Sequence, residues 1–267
     1  MRALATLAAF LRRDFLTQVS YRLAFLLQIA GLLFSLAAFY FLSKMIDPGA
    51  AGLNGIRPFE YILVGVAFLG YFSTALYAFS NKIREEQMMG TLEAMLVTPA
   101  RTSQVIFFSA AWDFAYGGIR LVLYLLFATF VFGVTLHVAS PLALGLGILL
   151  TLVSSAGIGF LSASFILYFK RGNPINFLLS GVTTFFGTAF FPVEQLPAWI
   201  RGFADYVPLT WSLRVVRGAL LQDRTFADLS HELFVLFVLT LVVVPFGLFA
   251  ARFAIRSAKR EGSLVQY

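Results

Sequence analysis

Residues 23–42 read LAFLLQIAGLLFSLAAFYFL, about 20 consecutive positions without a charge. As a helix rising about 1.5 Å per residue, this run reaches about 30 Å, the thickness of a bilayer's hydrocarbon core. It is too long and too aromatic for a cleaved secretory signal. No small-residue cleavage site follows before Lys44, so it is expected to be retained as a span. The whole chain has the same character, with 60% hydrophobic and only 12% charged residues. Soluble domains carry about a quarter charged residues, so the composition reads as a membrane protein.

Similar runs recur at Tyr61 to Ser80, Phe114 to Val134, Leu142 to Phe169, Ile175 to Phe191 and Leu233 to Ala251. The expected fold is an all-α membrane protein of one domain, residues 1–267, with six transmembrane helices at 22–44, 58–80, 104–134, 141–169, 173–191 and 230–253. Between the spans, one face collects Arg2, Arg12, Arg13, Arg22, Lys82, Arg84, Arg101, Lys170, Arg171, Arg252, Arg256, Lys259 and Arg260. The other holds Lys44, Arg57, Arg201, Arg214, Arg217 and Arg224. The positive-inside rule therefore places both termini in the cytoplasm, and an even number of crossings agrees. The net charge of +7 is explained by this asymmetry, and no nucleic-acid partner is expected.

Three segments outside the spans have their own pattern. In residues 1–21, Leu4, Leu7, Ala8, Leu11 and Phe15 fall at helical spacing beside Arg12, Arg13 and Asp14. This predicts an interfacial helix on the cytoplasmic leaflet, which either anchors the first span or contacts a partner. In the fourth span, Ala143, Gly147, Thr151, Ser155, Gly159 and Ala163 recur every four residues, a ridge of small side chains that another helix can approach closely. A helix of the same chain is favoured over one from a second copy. The outer segment 192–222 mixes Pro192, Pro197 and Pro208 with Trp199, Phe203, Tyr206 and Trp211. Short helices re-entering the outer interface are expected there. They form either a gate built on Pro192, Pro197, Trp199, Tyr206 and Trp211, or an aromatic belt that sets the depth of the flanking spans.

Much chemistry is excluded. The chain has no cysteine and only two histidines, His137 and His231, which have no companions at ligand or triad spacing. No catalytic residue and no metal site are expected. There is no GxxxxGK[ST] loop, so ATP-driven work requires another protein. Asp113 and Arg120 lie seven residues apart in the third span, near one helical face. A lone arginine at the bilayer centre costs roughly 2.5 to 3.5 kcal/mol, so Arg120 must snorkel, pair, or face protein or water.

The cytoplasmic link between spans two and three reads NKIREEQMMGTLEAMLVTPARTSQ, residues 81–104. Met88, Leu92, Met95 and Leu96 make an apolar stripe flanked by Arg84, Glu85, Glu86, Thr91 and Glu93. Gly90 permits a bend, Glu93 suits a helix N-terminus, and Pro99 ends the element. Three acidic residues match an anionic leaflet poorly, and methionines suit an adaptable protein groove. A helix over 84–99 is expected to seat in the cleft of a soluble partner.

These residues carry a resemblance. From Glu86 to Pro99 the chain is similar to the coupling segment of ABC type-2 exporter permeases, with the pattern E-x-x-x-G-T-L-E-x-[ML]-L-x-[TS]-P. Residues 190–221, FFPVEQLPAWIRGFADYVPLTWSLRVVRGALL, resemble that family's outer segment through F-P-x-x-x-L-P, P-L-T and V-V-R. The resemblance implies a permease that pairs with a second copy of itself and with two copies of an ATP-binding-cassette ATPase. The ATPase, rather than this chain, would bind ATP and Mg. Arg84, Glu85, Glu86, Met88, Gly90, Thr91, Leu92, Glu93, Met95, Leu96 and Pro99 would dock in it, passing its closing motion to the spans.

The expected function is export of an amphipathic, lipid-like or drug-like compound across a bacterial or archaeal cytoplasmic membrane. Phe177, Phe185, Phe186, Phe190 and Phe191, with Arg120, are candidates for its path among membrane lipids. One alternative is export of a lipid-linked polysaccharide, although FKRGNP after the fourth span lacks the acidic residue expected in those relatives. Another is a stand-alone proton-coupled carrier, which would work without an ATPase and depend on Asp113.

Overall fold

The computed structural model describes residues 2–20, 22–46, 49, 53, 55–88, 102–169 and 174–260. Nine α-helices account for most of them: α1 Arg2–Ser20, α2 Arg22–Ser43, α3 Pro58–Met88, α4 Thr102–Phe132, α5 Pro141–Phe169, α6 Pro174–Phe186, α7 Ala198–Ala204, α8 Pro208–Leu221 and α9 Ser230–Arg260. A 3-10 turn at Val193–Gln195 precedes α7, and there is no strand among the described residues. Four helices, α3, α5, α6 and α8, begin on a proline. A proline there forfeits only an amide that would lack a partner anyway, and its fixed φ already suits the helix.

Five helices are long and apolar enough to cross a membrane, within α2, α3, α4, α5 and α9. These helices overlap five of the six stretches expected to span. The remaining one differs: the span expected over 173–191 is a helix only over Pro174–Phe186, 13 residues. That is about 20 Å long, short of the roughly 30 Å of hydrocarbon. The helix closes with the Gly187 amide on the Thr183 carbonyl at 2.8 Å. Thr188 then takes a left-handed φ of 55°, which turns the chain out of the helix although Gly187–Phe191 carries no charge.

α3 is the most enclosed of the long helices and the axis of the core. Its Phe59, Leu63, Val64, Phe68 and Phe72 pack with Leu32 and Leu36 of α2, Leu121 and Tyr124 of α4, and Leu209 and Leu213 of α8. α5 lies between α3, α8 and α9. The ridge of small residues on α5 is packed within the chain, as expected. A Cβ on Gly147 would come to 2.8 Å from Val215 of α8, and one on Gly159 to 3.0 Å from the Ala75 and Leu76 carbonyls of α3. A second close approach, on the other side of α5, was not expected. There Gly157 faces α9, and a Cβ on Gly247 would overlap the Gly157 carbonyl oxygen.

α1 is a separate helix that packs along α4, with Phe15 edge-on to Trp112 at 5.6 Å between ring centres. Asp14 of α1 takes the Arg13 guanidinium at 2.8 Å and lies 3.9 Å from the Lys82 ammonium of α3. α6 contacts chiefly α3 and α5 within the chain, and it leaves Phe177, Leu178, Val182 and Phe185 exposed.

Candidate functional site

Three regions bear on function, and they lie at different depths of the helix bundle. At the end that carries Lys82 and Trp112, α3 continues as one helix from Pro58 through Arg84 to Met88. Its 31 residues make a rod of about 46 Å, some 16 Å longer than the hydrocarbon. Of the expected docking residues, Arg84, Glu85, Glu86 and Met88 fall on the last turns of this rod. Gly90, Thr91, Leu92, Glu93, Met95, Leu96 and Pro99 lie outside the described residues, so the helix expected over 84–99 is seen only to Met88.

Two cavities share Tyr77 of α3 as a wall. One, of about 420 Å³, lies against α6 and is lined by Phe177, Gly181, Phe185, Phe190 and Phe191. The other, of about 430 Å³, runs between α3 and α4 and is lined by Thr74, Asn81, Lys82, Asp113 and Arg120. The expected phenylalanine path is thus brought together with one exception. Phe186 points into the core against α3 and α8 and lies 6.1 Å from Phe203. Arg120 belongs to the polar cavity with Asp113, as their spacing implied, and not to the aromatic one.

α6 is fixed beside these cavities by a residue that sequence reading missed. Asn176 is buried at 3% exposure; its amide nitrogen donates to the Ser80 hydroxyl of α3 at 3.2 Å, and its side-chain oxygen accepts from Ser162 of α5. Its backbone carbonyl accepts from the Tyr77 hydroxyl at 3.3 Å. One amide side chain therefore joins three helices. In an apolar surrounding it is held there because an unmet polar group is costly. The available signal was a lone Asn inside an otherwise apolar run.

At the opposite end, α8 is buried along almost its whole length. The loop after α4 caps it: the His137 and Ala139 amides donate to the carbonyls of Leu220 and Ala219, each at 3.1 Å, meeting acceptors that a helix end leaves open. Arg217 on α8 is 5% exposed and sits 3.4 Å over the Tyr61 ring. Its guanidinium donates at 3.0 Å to the carbonyls of Thr188, Ala189 and Tyr61. Burial pulls its pKa down to about 10, still charged at neutral pH. The turn that ends α6 is therefore held by a cation from α8. Gly65 of α3 makes this possible, because a Cβ there would overlap the Ala189 carbonyl oxygen and lie 2.6 Å from Arg217 Nη2.

The five residues expected to form an outer gate separate into two sets. Trp211 is buried, donates its indole N–H to the Asp205 carbonyl at 2.9 Å, and has the Arg214 guanidinium 4.3 Å over its ring. Pro192 is buried as well and leads into the 3-10 turn. Pro197 opens α7, and Trp199 and Tyr206 at either end of that helix are exposed at 80% and 76%. Two of the three aromatic rings are thus exposed and one belongs to the core. Arg217 and Gly65 were not among the expected site residues, although the V-V-R run contained the first.

The sequence matches the ABC-2 type transporter family over residues 6–221, from the N-terminal helix through the end of α8. No curated relative matches the chain. A 31-residue helix running to Met88, the buried helix α8 and five helices long and apolar enough to cross a membrane accompany that match. The chain is a multi-pass membrane protein of the ABC-2 type transporter family, whose members are permeases that imply an ATP-binding-cassette partner.

Proposed function

We propose that this chain is the permease subunit of an ATP-driven exporter that moves an amphipathic, lipid-like or drug-like compound out of the cytoplasm. ATP and Mg are bound by a separate ATPase subunit, two copies of which serve a pair of permeases, and this chain has no catalytic role. The observation that carries the cargo class is the pair of cavities on either side of Tyr77, one aromatic and one charged, of about 420 and 430 Å³. A molecule with an apolar body and a polar head matches that juxtaposition. A lipid-linked glycan also has an apolar part, but its polymeric sugar head is larger than a polar cavity of about 430 Å³, so the polysaccharide reading is the weaker one.

The exposed face of α6, with Phe177 and Phe185, is the surface a second copy of the chain would cover. In this arrangement α6 and the turn after it complete a sixth crossing, and both termini face the cytoplasm of a bacterial or archaeal inner membrane. The rod formed by α3 carries the stroke. ATP-driven closure of the ATPases moves the docking residues beyond Arg84, and a continuous helix transmits that displacement to Tyr77, where a loop would absorb it.

The test is the ATPase rate of the permease reconstituted with its ATPase subunit in lipid vesicles. Amphipathic drugs or lipid analogues are expected to raise the rate, and Phe185→Ala with Phe177→Ala to abolish that response while leaving the basal rate. Stimulation by lipid-linked glycan alone would replace the cargo assignment. Transport by the permease in vesicles without any ATPase, lost in Asp113→Asn, would establish a proton-coupled carrier instead.

A further inference from the structure

The cavity between α3 and α4 carries a charge that the fold leaves unanswered. In the apolar stretch Ala110–Phe132 of α4, Arg120 lies ten residues from one end and twelve from the other, about 15–18 Å from either edge. It is therefore at half-depth, where an arginine is costly unless water or an anion meets it. The packing of α3 agrees: a Cβ on Gly117, one turn before Arg120, would come to 3.2 Å from Thr74, which sets Arg120 level with Gly70 near the middle of Pro58–Lys82. Arg120 lines the cavity and is exposed, and it makes neither an ion pair nor a hydrogen bond among the described residues.

The other ionic groups of the wall are already engaged. Lys82, at the far end of the α3 stretch, lies 3.9 Å from Asp14 and is largely covered. Asp113, half-buried and about 10 Å along α4 from Arg120, has an interaction of its own within the chain. Among the neutral groups, the Thr74 hydroxyl donates to the Gly70 carbonyl at 2.9 Å and the Tyr77 hydroxyl to the Asn176 carbonyl at 3.3 Å. The Ser73 hydroxyl, half-buried in the same wall, has no partner among the described residues and is free to donate.

The chemistry of the missing group follows. A cationic head in this cavity would find one carboxylate already in use and would face Arg120 and Lys82. A neutral head would leave the arginine's charge unmet. An anionic head meets it with charge-assisted hydrogen bonds, the strong kind, and takes Ser73 as a further donor. Its apolar body then passes Tyr77 into the cavity lined by Phe177 and Phe185. We propose that the cargo is an anionic amphipath whose phosphate or carboxylate head is held by Arg120 at half-depth between α3 and α4. This rests on the export reading above and adds to it the sign of the head's charge.

The test uses the permease with its ATPase subunit in phosphatidylcholine vesicles, with the ATPase rate read against added hexadecyl phosphate, hexadecyltrimethylammonium or hexadecanol. The three share one chain and differ only in the head. Hexadecyl phosphate should reach half its maximal stimulation at a mole fraction about ten-fold below that of hexadecanol, the ratio that one charged hydrogen bond supports, and the trimethylammonium should need the most. In Arg120→Gln the phosphate-to-alcohol ratio should fall to about one, and Arg120→Lys, which keeps the charge, should restore part of it. Gly70→Leu enters open space beside the arginine without a clash and should raise the phosphate's half-stimulating fraction in a protein that keeps Arg120. Stimulation without a head preference, a preference for trimethylammonium, one that survives Arg120→Gln, or an unchanged response in Gly70→Leu would overturn the site. So would a lower Tm with loss of the dimer in Arg120→Gln, since the second copy would then supply the arginine's counter-charge. Stimulation by none of the three would remove the export of amphipaths itself, on which the site rests. Dioleoyl phosphatidic acid separates the sources of such a head: a response equal to that of hexadecyl phosphate makes the cargo a bilayer lipid, and no response makes it a single-chain amphipath, in both cases with the head on Arg120.

Discussion

Replacing Gly65 with alanine adds one methyl group at the tightest point of the outer end. In an ordinary helix this change stabilises by about 0.5–1 kcal/mol, because glycine gives up more backbone entropy. Here the methyl would overlap the Ala189 carbonyl oxygen and come to 2.6 Å from Arg217 Nη2. Both groups must retreat. Nη2 holds the Tyr61 and Ala189 carbonyls at 3.0 Å each, and a hydrogen bond from a charged donor contributes about 1.5–3 kcal/mol. Overpacking without room to relax costs a further 1–3 kcal/mol or so. With one of the two bonds lost, and the helix gain subtracted, the net destabilisation is about 1.5–5.5 kcal/mol. For a protein of this size that is a fall in Tm of roughly 3–20 °C. The assay is thermal unfolding of the purified permease by intrinsic fluorescence, with the Arg217→Met variant and the double variant measured beside it. Both single changes disrupt the same clip, so the double should lose clearly less than the sum of the two. A Gly65→Ala protein that melts with the wild type would show that the clip contributes no stability, and losses that simply add would show that Gly65 and Arg217 do not act through one clip.

Three further outcomes are expected. Asn176→Ala leaves Ser80 and Ser162 without their shared partner and should loosen α6. Polar pairs between membrane helices contribute about 0.6–1.7 kcal/mol, so thermal stability should fall only slightly while hydrogen exchange over residues 174–186 rises; unchanged exchange there would mean the amide does not hold the helix. Gly247→Ala places a methyl on the Gly157 carbonyl and should force α5 and α9 apart, with a loss of about 1–3 kcal/mol in thermal unfolding; an unchanged melting temperature would show that the two helices do not depend on this close approach. Leu92→Arg in the docking sequence should abolish co-purification of the ATPase subunit while the permease still inserts and melts normally; undiminished co-purification would show that the segment is not the docking element.

How far the sequence could be read depended on the range of the interactions involved. Spans within α2, α3, α4, α5 and α9 were legible because apolar length is a local property, and because prolines at 58 and 141 mark where helices can start. The α5 ridge was legible for the same reason: residues every four positions share a helical face whatever lies opposite. Its second close approach was not, since Gly157 acquires meaning only from Val244 and Gly247, about ninety positions later. The apolar stripe proposed to dock was visible as a pattern, but most of it falls outside the described residues.

The end of α6 is the most instructive departure. By composition, Gly187–Phe191 should simply prolong a span, since no charge or proline intervenes before Pro192. A helix that stops early in an apolar setting leaves carbonyls without donors, which is why apolar runs are ordinarily read as continuous. What reverses that preference is Arg217, 28 positions from Ala189 along the chain, arriving on α8 with donor contacts for two of the freed oxygens, those of Thr188 and Ala189. Arg217 in turn could be expected to snorkel to water, as an arginine near an interface usually does. It is buried instead because those same oxygens, and the open space above Gly65, are there to receive it. The short helix and the buried cation are each unfavourable alone and mutually stabilising together. A local pattern cannot encode that, and the argument predicts its own exception: in a chain with Arg217→Leu, the reason for α6 to stop at Phe186 disappears, and backbone protection should extend into Gly187–Phe191. If protection there stays as low as in the wild type, the turn is set by Thr188 and the arginine only follows it.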